Sequence, residues 1–391
     1  MIMNLLSALL LFFIQPTFLV GIVVAILLSV RRKKQERKLF RVAINKDSHE
    51  IKDYFVKGLI SGLIASILVM AAGIPITIEA IIIYQLLALL AVIIGGHFVH
   101  PLFIMPLTAF LVWGSNKIEL TEQLPNPAKD WYEGFSQTEW INISLVQNLL
   151  IITVVLLFLT AAHFMKQKEK NYSPKIVKTK RGKKIAAYRL TPFWVIPLVL
   201  IIPGEAFSNL FDWWPVFSIG NSNYSFFILP VLSGFKYTVR SYVPREATAK
   251  LAKDLFAVAI LTTLCLVGSY WVPVLAYIAT ALIFIGGITV LMRHALREKK
   301  GHQLYAPANG GLKVIGIRPG TPAEKMNLQI GETVVMCNET TVETEEDFHE
   351  ALSKNSVYCR LKVKDIKGEP RLTETALYAD DPHGLGIVFL P

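Results

Sequence analysis

The stretch Gly316–Leu352, GIRPGTPAEKMNLQIGETVVMCNETTVETEEDFHEAL, breaks with the oily sequence before it. Its turns are chemically marked. Thr321 is placed to cap a short helix, Pro322 suits the first helical position, and Glu324 falls in the first turn. GETVVMCNETTV supplies a turn, a buried strand and a reversal at Asn338-Glu339. TEEDFHEAL predicts a second helix. Thr344 caps it, Glu345, Glu346 and Asp347 favour its positive end, and Phe348, Ala351 and Leu352 form the apolar stripe.

Strands flank this block on both sides. LKVIGI precedes it, while VYCRLKVKDI and RLTETALYA alternate after it around a KGEP turn. GLGIVFL ends the sequence. From Leu304 onward there are 9 basic and 13 acidic residues, a balance of −4. The rest of the chain holds 31 basic and 16 acidic residues, or +15. A small α+β domain over 301–391 therefore follows a region of different composition, residues 1–300.

That region is built for lipid. Over 391 residues the chain is 53% hydrophobic, with mean hydropathy +0.47. Apolar runs fall at Leu5–Val30 (Pro16 inside it), Gly58–Ile74, Ile76–Ile94, Phe98–Trp113, Ile143–Met165, Leu255–Tyr270 and Val272–Met292. LTPFWVIPLVLIIPG and SFFILPVLSGF, between 190 and 235, are short and broken by prolines. They fit tilted spans or re-entrant segments equally, so six to nine spans are expected. The N-terminus lacks a basic leader and a small-residue cleavage site, and is expected to be a retained span.

Basic blocks at 31–41, 166–184, 236–253 and 293–300 belong on the cytoplasmic side by the positive-inside rule. The loop 114–142 is acidic, with Trp131, Tyr132 and Trp140 suited to an interface belt. The tail domain is then cytoplasmic. The basic charge reads as topology signal and as contact with anionic lipids at the basic loops. It does not read as nucleic-acid binding, since no basic-aromatic patch sits on a soluble fold. Cys337 and Cys359 are expected as reduced core thiols.

The run GLKVIGIRPGTPAEKMNLQIGETVVMCNETTV resembles a bacterial PDZ domain. Two positions depart from that pattern: Glu332 stands where Asp is usual, and Asn338-Glu339 replaces Asn-Gly. The Gly-Leu-Gly carboxylate-binding turn that usually precedes this block is missing there. Gly384-Leu385-Gly386-Ile387 at the end of the chain fits instead, as a circularly permuted arrangement. The resemblance implies a peptide carboxylate on that turn, a peptide strand added beside IVFL, and a pocket with Phe348 and Leu352 as lining candidates. Plain closure of the sheet by GLGIVFL is the competing reading.

No catalytic constellation emerges. GGHFVHP places His97 and His100 three apart without the Glu of a zinc-protease helix. Neither Ser61 nor Ser233 sits in a serine-protease turn. Glu79 and Glu205 lie near span ends, where a transporter would want midplane charge. No enzyme activity, metal or cofactor is expected. The alternative is a membrane protease, or a regulator of one, whose tail presents substrate.

The full layout, many spans and then one PDZ-like domain, resembles the MinJ family of cell-division topology factors of Gram-positive rods. That resemblance implies a membrane-anchored adaptor at septum and poles. Its implied partners are a DivIVA-like coiled coil and a MinD-like ATPase.

Overall fold

The computed structural model describes residues 9–95, 98–117, 125, 129, 142–166, 172–179, 182–204, 214–219, 222–301, 303–308, 310–355, 357–378, 380 and 385–390. Residues 9–14 are helical, Gln15 turns, and Pro16 opens α1 (Pro16–Phe40). Pro16 thus starts a helix, as a residue without an N–H can. The basic block 31–41 prolongs α1 almost to its end instead of forming a loop. Then come α2 (His49–Ala71), α3 (Ile78–Ile94), α4 (Pro101–Lys117) and α5 (Ile143–Met165). After an intervening β region follow α6 (Pro244–Gly268) and α7 (Val274–Lys300). Among the described residues, four helices are long and apolar enough to cross a membrane: α2, α5, α6 and α7. The helices α3 and α4 are apolar but shorter. The acidic loop's Trp131, Tyr132 and Trp140, and Glu205, lie outside the described residues.

The two proline-broken runs are neither helical spans nor helical re-entrant segments. They are β3 (Phe193–Pro203) and β5 (Ser222–Gly234), a long antiparallel hairpin with β4 (Val216–Ile219) on the β5 edge near its tip. A hairpin among apolar helices leaves backbone groups on its outer edges, where water is scarce. Each edge is answered individually. Val199 N–H donates to Ser66 Oγ at 2.9 Å, and Ile76 N–H donates to Ile201 O at 2.8 Å. On the other edge, Leu232 N–H donates to Tyr84 Oη at 3.2 Å and Gln15 Nε2 donates to Ile228 O at 2.7 Å. Gln85 holds Gln15 in turn at 2.9 Å, and Gly234 N–H donates to Val99 O.

The cross-strand pair Pro197↔Pro230 falls in the same alternation of outward-turned positions. Proline brings no N–H there, so two edge donors that would need a partner never exist. The prolines that look like helix breakers are fitted to strand edges. Helix α2 lies against β3 through Gly58, Gly62 and Ser66, spaced four apart. A Cβ at Gly62 would stand 2.6 Å from Pro197 O, and one at Gly58 would overlap Val195 O.

The block 166–184 is likewise not a plain loop. β1 (Pro174–Lys178), β2 (Lys184–Leu190) and β6 (Tyr237–Val239) form a second sheet at the basic ends of the helices. The tail docks on it. Ala186 N–H donates to Tyr305 O at 3.1 Å, and the buried Tyr188 hydroxyl donates to Ile315 O at 2.6 Å. Ile315, Val388 and Leu390 join the same apolar core as Tyr188 and Tyr305.

In the tail, β7 (Leu312–Ile317), α8 (Pro322–Lys325), β8 (Thr333–Cys337), β9 (Thr340–Thr341) and α9 (Glu345–Ser353) follow the turn chemistry closely. β10 (Tyr358–Lys364), β11 (Pro370–Ala376) and β12 (Ile387–Phe389) complete the sheet, ordered β11-β10-β8-β7-β12 with β9 on β8. The final strand of the sequence thus pairs with the first of the domain, the permuted PDZ-like order.

Thr344 and Asp347 form a reciprocal capping box on α9. The N–H groups of Glu343 and Thr344 hold the Asp347 carboxyl below its ordinary range. Thr321 precedes α8 but does not cap it: its hydroxyl donates to Arg318 O, and the Glu324 carboxylate takes the Gly320 N–H instead. Cys337 and Cys359 are buried, free and 4.0 Å apart at sulfur.

The reversal at Asn338-Glu339 puts both residues at positive φ, 46° and 66°. Asn338 contributes more than conformation, since its amide bonds Ala351 O and Arg360 N–H, tying hairpin, α9 and β10 together. Glu339 carries only the strain. Glu339→Gly is expected to stabilise the tail by about 1 kcal/mol, raising its melting temperature by several degrees in a thermal scan.

Candidate peptide-binding groove

Among the described residues strand β12 pairs with β7 alone, and its other edge lies toward α9 across a shared cavity. Arg318 N–H donates to Gly386 O, and Leu390 N–H donates to Lys313 O. With the pairs Ile387↔Ile317 and Phe389↔Val314, those bonds turn the backbone of Ile387 and Phe389 away from β7. A cavity of about 200 Å³ lies along this edge. Gly386, Ile387, Val388 and Phe389 line one side, and Glu345, Phe348 and His349 of α9 line the other. An extended peptide laid here would meet a strand edge on one side and helix side chains on the other.

Five of the six sequence candidates are described, and their placements differ. Gly386, Ile387 and Phe348 meet at the groove. Phe348 is also fully buried and packs edge-on against Phe389, with ring centroids 5.0 Å apart. Leu385 and Leu352 sit in the domain core and do not line the cavity. Gly384 lies outside the described residues. Gly386 has φ +81°, and a Cβ there would collide with the side chain of Thr321. The turn therefore seats against the start of α8 only as glycine, aided by Ala323 N–H donating to Leu385 O.

Five groove residues escaped the sequence reading as lining: Glu345 and His349 of α9, Arg318, Phe40 and Val42. Arg318 follows β7 and is among the residues lining the cavity, a cation suited to an anionic peptide end. Phe40 ends α1 and Val42 follows in the α1–α2 connection, more than 270 positions away in the chain. That connection is held by Arg32 and Glu36. Arg32 donates to Asn45 O and Asp47 O and pairs with Glu50, while Glu36 accepts from Ile44 N–H at 2.9 Å. Ile44 then reaches the tail, where a Cβ on Gly316 would lie 3.2 Å from its Cδ1. One wall of the groove thus belongs to the membrane part. No local sequence signal marks it, because only the packed tertiary structure brings it there.

The catalytic alternatives gain no geometry. His100 is buried, with Nε2 3.1 Å from Thr160 Oγ1 and Nδ1 accepting from Leu102 N–H. Its ring stacks on Phe235, and His97 lies outside the described residues. Ser61 Oγ meets only the Lys57 carbonyl of its own helix, at 3.5 Å. Glu79 is buried in the first turn of α3. Among the described residues, no group of three His, Cys, Asp or Glu could hold a metal.

No family model matches the chain. Over 388 residues it is 29% identical to the cell division topological determinant MinJ of Bacillus subtilis (strain 168), covering 97% of this chain and 93% of that protein. The "Probable cell division topological determinant MinJ" of Lacticaseibacillus paracasei is 26% identical over 375 residues, covering 93% and 92%. Among solved structures, the PDZ domain of an SdrC-like protein from Listeria monocytogenes is 17% identical. It covers 21% of this chain and 90% of that one, with TM-score 0.19. The resemblance to MinJ-type topology factors holds along nearly the whole chain, membrane part included.

Proposed function

We propose that this chain is a membrane-anchored adaptor that recruits and positions cell-division proteins at septum and poles, with the tail on the cytoplasmic side. The observation that carries the reading is the outer edge of β12 facing α9 across a cavity. A strand edge beside a helix is a device for holding a peptide backbone, not for breaking one. The anchoring helices add to it. Partners confined to the same membrane meet at raised effective concentration, so modest contacts assemble a complex. Relatives named as division topology determinants support the setting, and a DivIVA-like coiled coil and a MinD-like ATPase are the partners expected from it.

Because Phe40 and Val42 wall the groove, the test uses the full chain in nanodiscs and the C-terminal peptides of division proteins. Gly386→Val forces a β-branched residue to positive φ and into Thr321. It is expected to weaken capture at least tenfold while membrane insertion is unchanged. Arg318→Gln, which leaves the backbone alone, should weaken it several-fold. Undiminished capture in both variants would overturn the groove reading.

A further inference from the structure

A second cavity, of about 730 Å³, opens between the sheet β1-β2-β6 and the basic end of α7. Lys175, Lys178, Arg189, Lys236, Arg240 and Lys299 line it. Among the described residues the one carboxylate there is Glu298: its Oε2 accepts from the N–H groups of Arg240 at 2.6 Å and Ser241 at 2.9 Å, and its Oε1 is buried without a hydrogen-bond partner. Lys175 and Arg189 also line a neighbouring cavity that includes Arg31. The Lys236 ammonium is held below its ordinary value, first by burial and then by repulsion from Arg189 and Arg31. Six cations against one carboxylate leave the lining with a net positive charge that favours an anion.

Part of the cavity lining is apolar. Tyr237, Leu291 and Ala295 contribute to it. On α7 a stripe runs from Ile285 through Ile288 and Met292 to Ala295 and Lys299, spaced three or four apart, so these residues share one face. Ile285 and Met292 are 60% and 59% exposed. An apolar track along a helix long enough to cross a membrane thus ends in a cationic cavity at that helix's basic end.

We propose that this cavity binds the phosphodiester headgroup of an anionic phospholipid whose acyl chains lie along the exposed face of α7. Free phosphate would use the cations but not the track. An acidic protein segment would use the charge but has no need of a site at the end of a membrane helix. Guanidinium groups at Arg189 and Arg240 suit paired hydrogen bonds to phosphate oxygens, and basic pockets at the cytoplasmic side of membrane helices recognise such headgroups. The site lies apart from the peptide groove and does not depend on it.

The test uses the full chain in detergent, with bound lipid read by native mass spectrometry and by thermal shift. The probes are cardiolipin, phosphatidylcholine, inorganic phosphate and polyglutamate. Cardiolipin should be retained and should raise the melting temperature, and the other three should not. The double variant K178Q/R240Q should retain cardiolipin about thirtyfold less well, about fivefold for each charge removed. The control pair K362Q/K364Q on β10, and Gly386→Val at the peptide groove, should retain it fully. Unchanged retention in K178Q/R240Q, equal loss in K362Q/K364Q, or equal stabilisation by phosphate or polyglutamate would overturn the assignment.

Discussion

Gly62→Leu is expected to abolish the folded membrane part, and Gly58→Leu to do the same. At Gly62 the new Cβ would stand 2.6 Å from Pro197 O and 2.7 Å from its Cδ, and at Gly58 it would overlap Val195 O. The obstacles are backbone and ring atoms, which cannot rotate aside. Strand β3 cannot retreat either, because β5 holds it across the whole length of the hairpin. Moving α2 away would also strip Ser66 from Val199 N–H, leaving an edge donor in apolar surroundings at about 1–3 kcal/mol. Overpacking typically costs about 1–3 kcal/mol. Here both penalties act together, and the sum should exceed 3 kcal/mol. Gly114→Ala, in helix α4 with no atom within 4 Å of its new Cβ, is the control. It should be neutral or stabilise by about 0.5–1 kcal/mol. Thermal unfolding and protease resistance in detergent separate the outcomes.

Phe348→Ala should unfold the tail and leave the membrane helices intact. The ring is fully buried among Phe389, Leu352 and Val314 in the domain's own core. Removing such a ring costs about 3–5 kcal/mol, comparable to the roughly 5 kcal/mol that holds a marginal domain of this size. The loss also removes the α9 wall of the groove, so peptide capture should vanish with folding. Leu372→Ala, on β11 at 58% exposure, should shift stability by no more than about 0.5 kcal/mol. Limited proteolysis should release fragments of residues 301–391 from the Phe348 variant and not from the Leu372 variant.

The tail was legible because its signals are local. Thr344 with Asp347, Pro322 after Gly320-Thr321, and Asn338-Glu339 each specify backbone within a few residues. The Gly-Leu-Gly turn at the chain end was enough to place β12 beside α9, while its pairing with β7 emerged only in the structure. The hairpin β3–β5 was not legible. Strands surrounded by apolar neighbours lose their alternation, and a continuous apolar run does not distinguish strand from helix. Pro197 and Pro230 then looked like breaks in spans. They make sense only once paired across the hairpin, with Gly58, Gly62 and Ser66 of α2 against the edge. Of the two candidate pocket residues, Phe348 lines the cavity and Leu352 sits in the domain core. Leu352 lies on the apolar stripe of α9, but that stripe faces the core as well as the groove. Phe40 and Val42 carried no signal at all, being isolated apolar residues at and just past the end of a basic helix.

On the proposed function, an oily platform presents a peptide-grasping domain to division proteins. Imaging a functional fluorescent fusion of the full chain in dividing cells tests it most directly, beside the Gly386→Val variant. The wild-type fusion should concentrate at septa and poles, and the variant should stay in the membrane but spread around the envelope. An even envelope signal from the wild-type fusion, at every stage of division, would contradict the account.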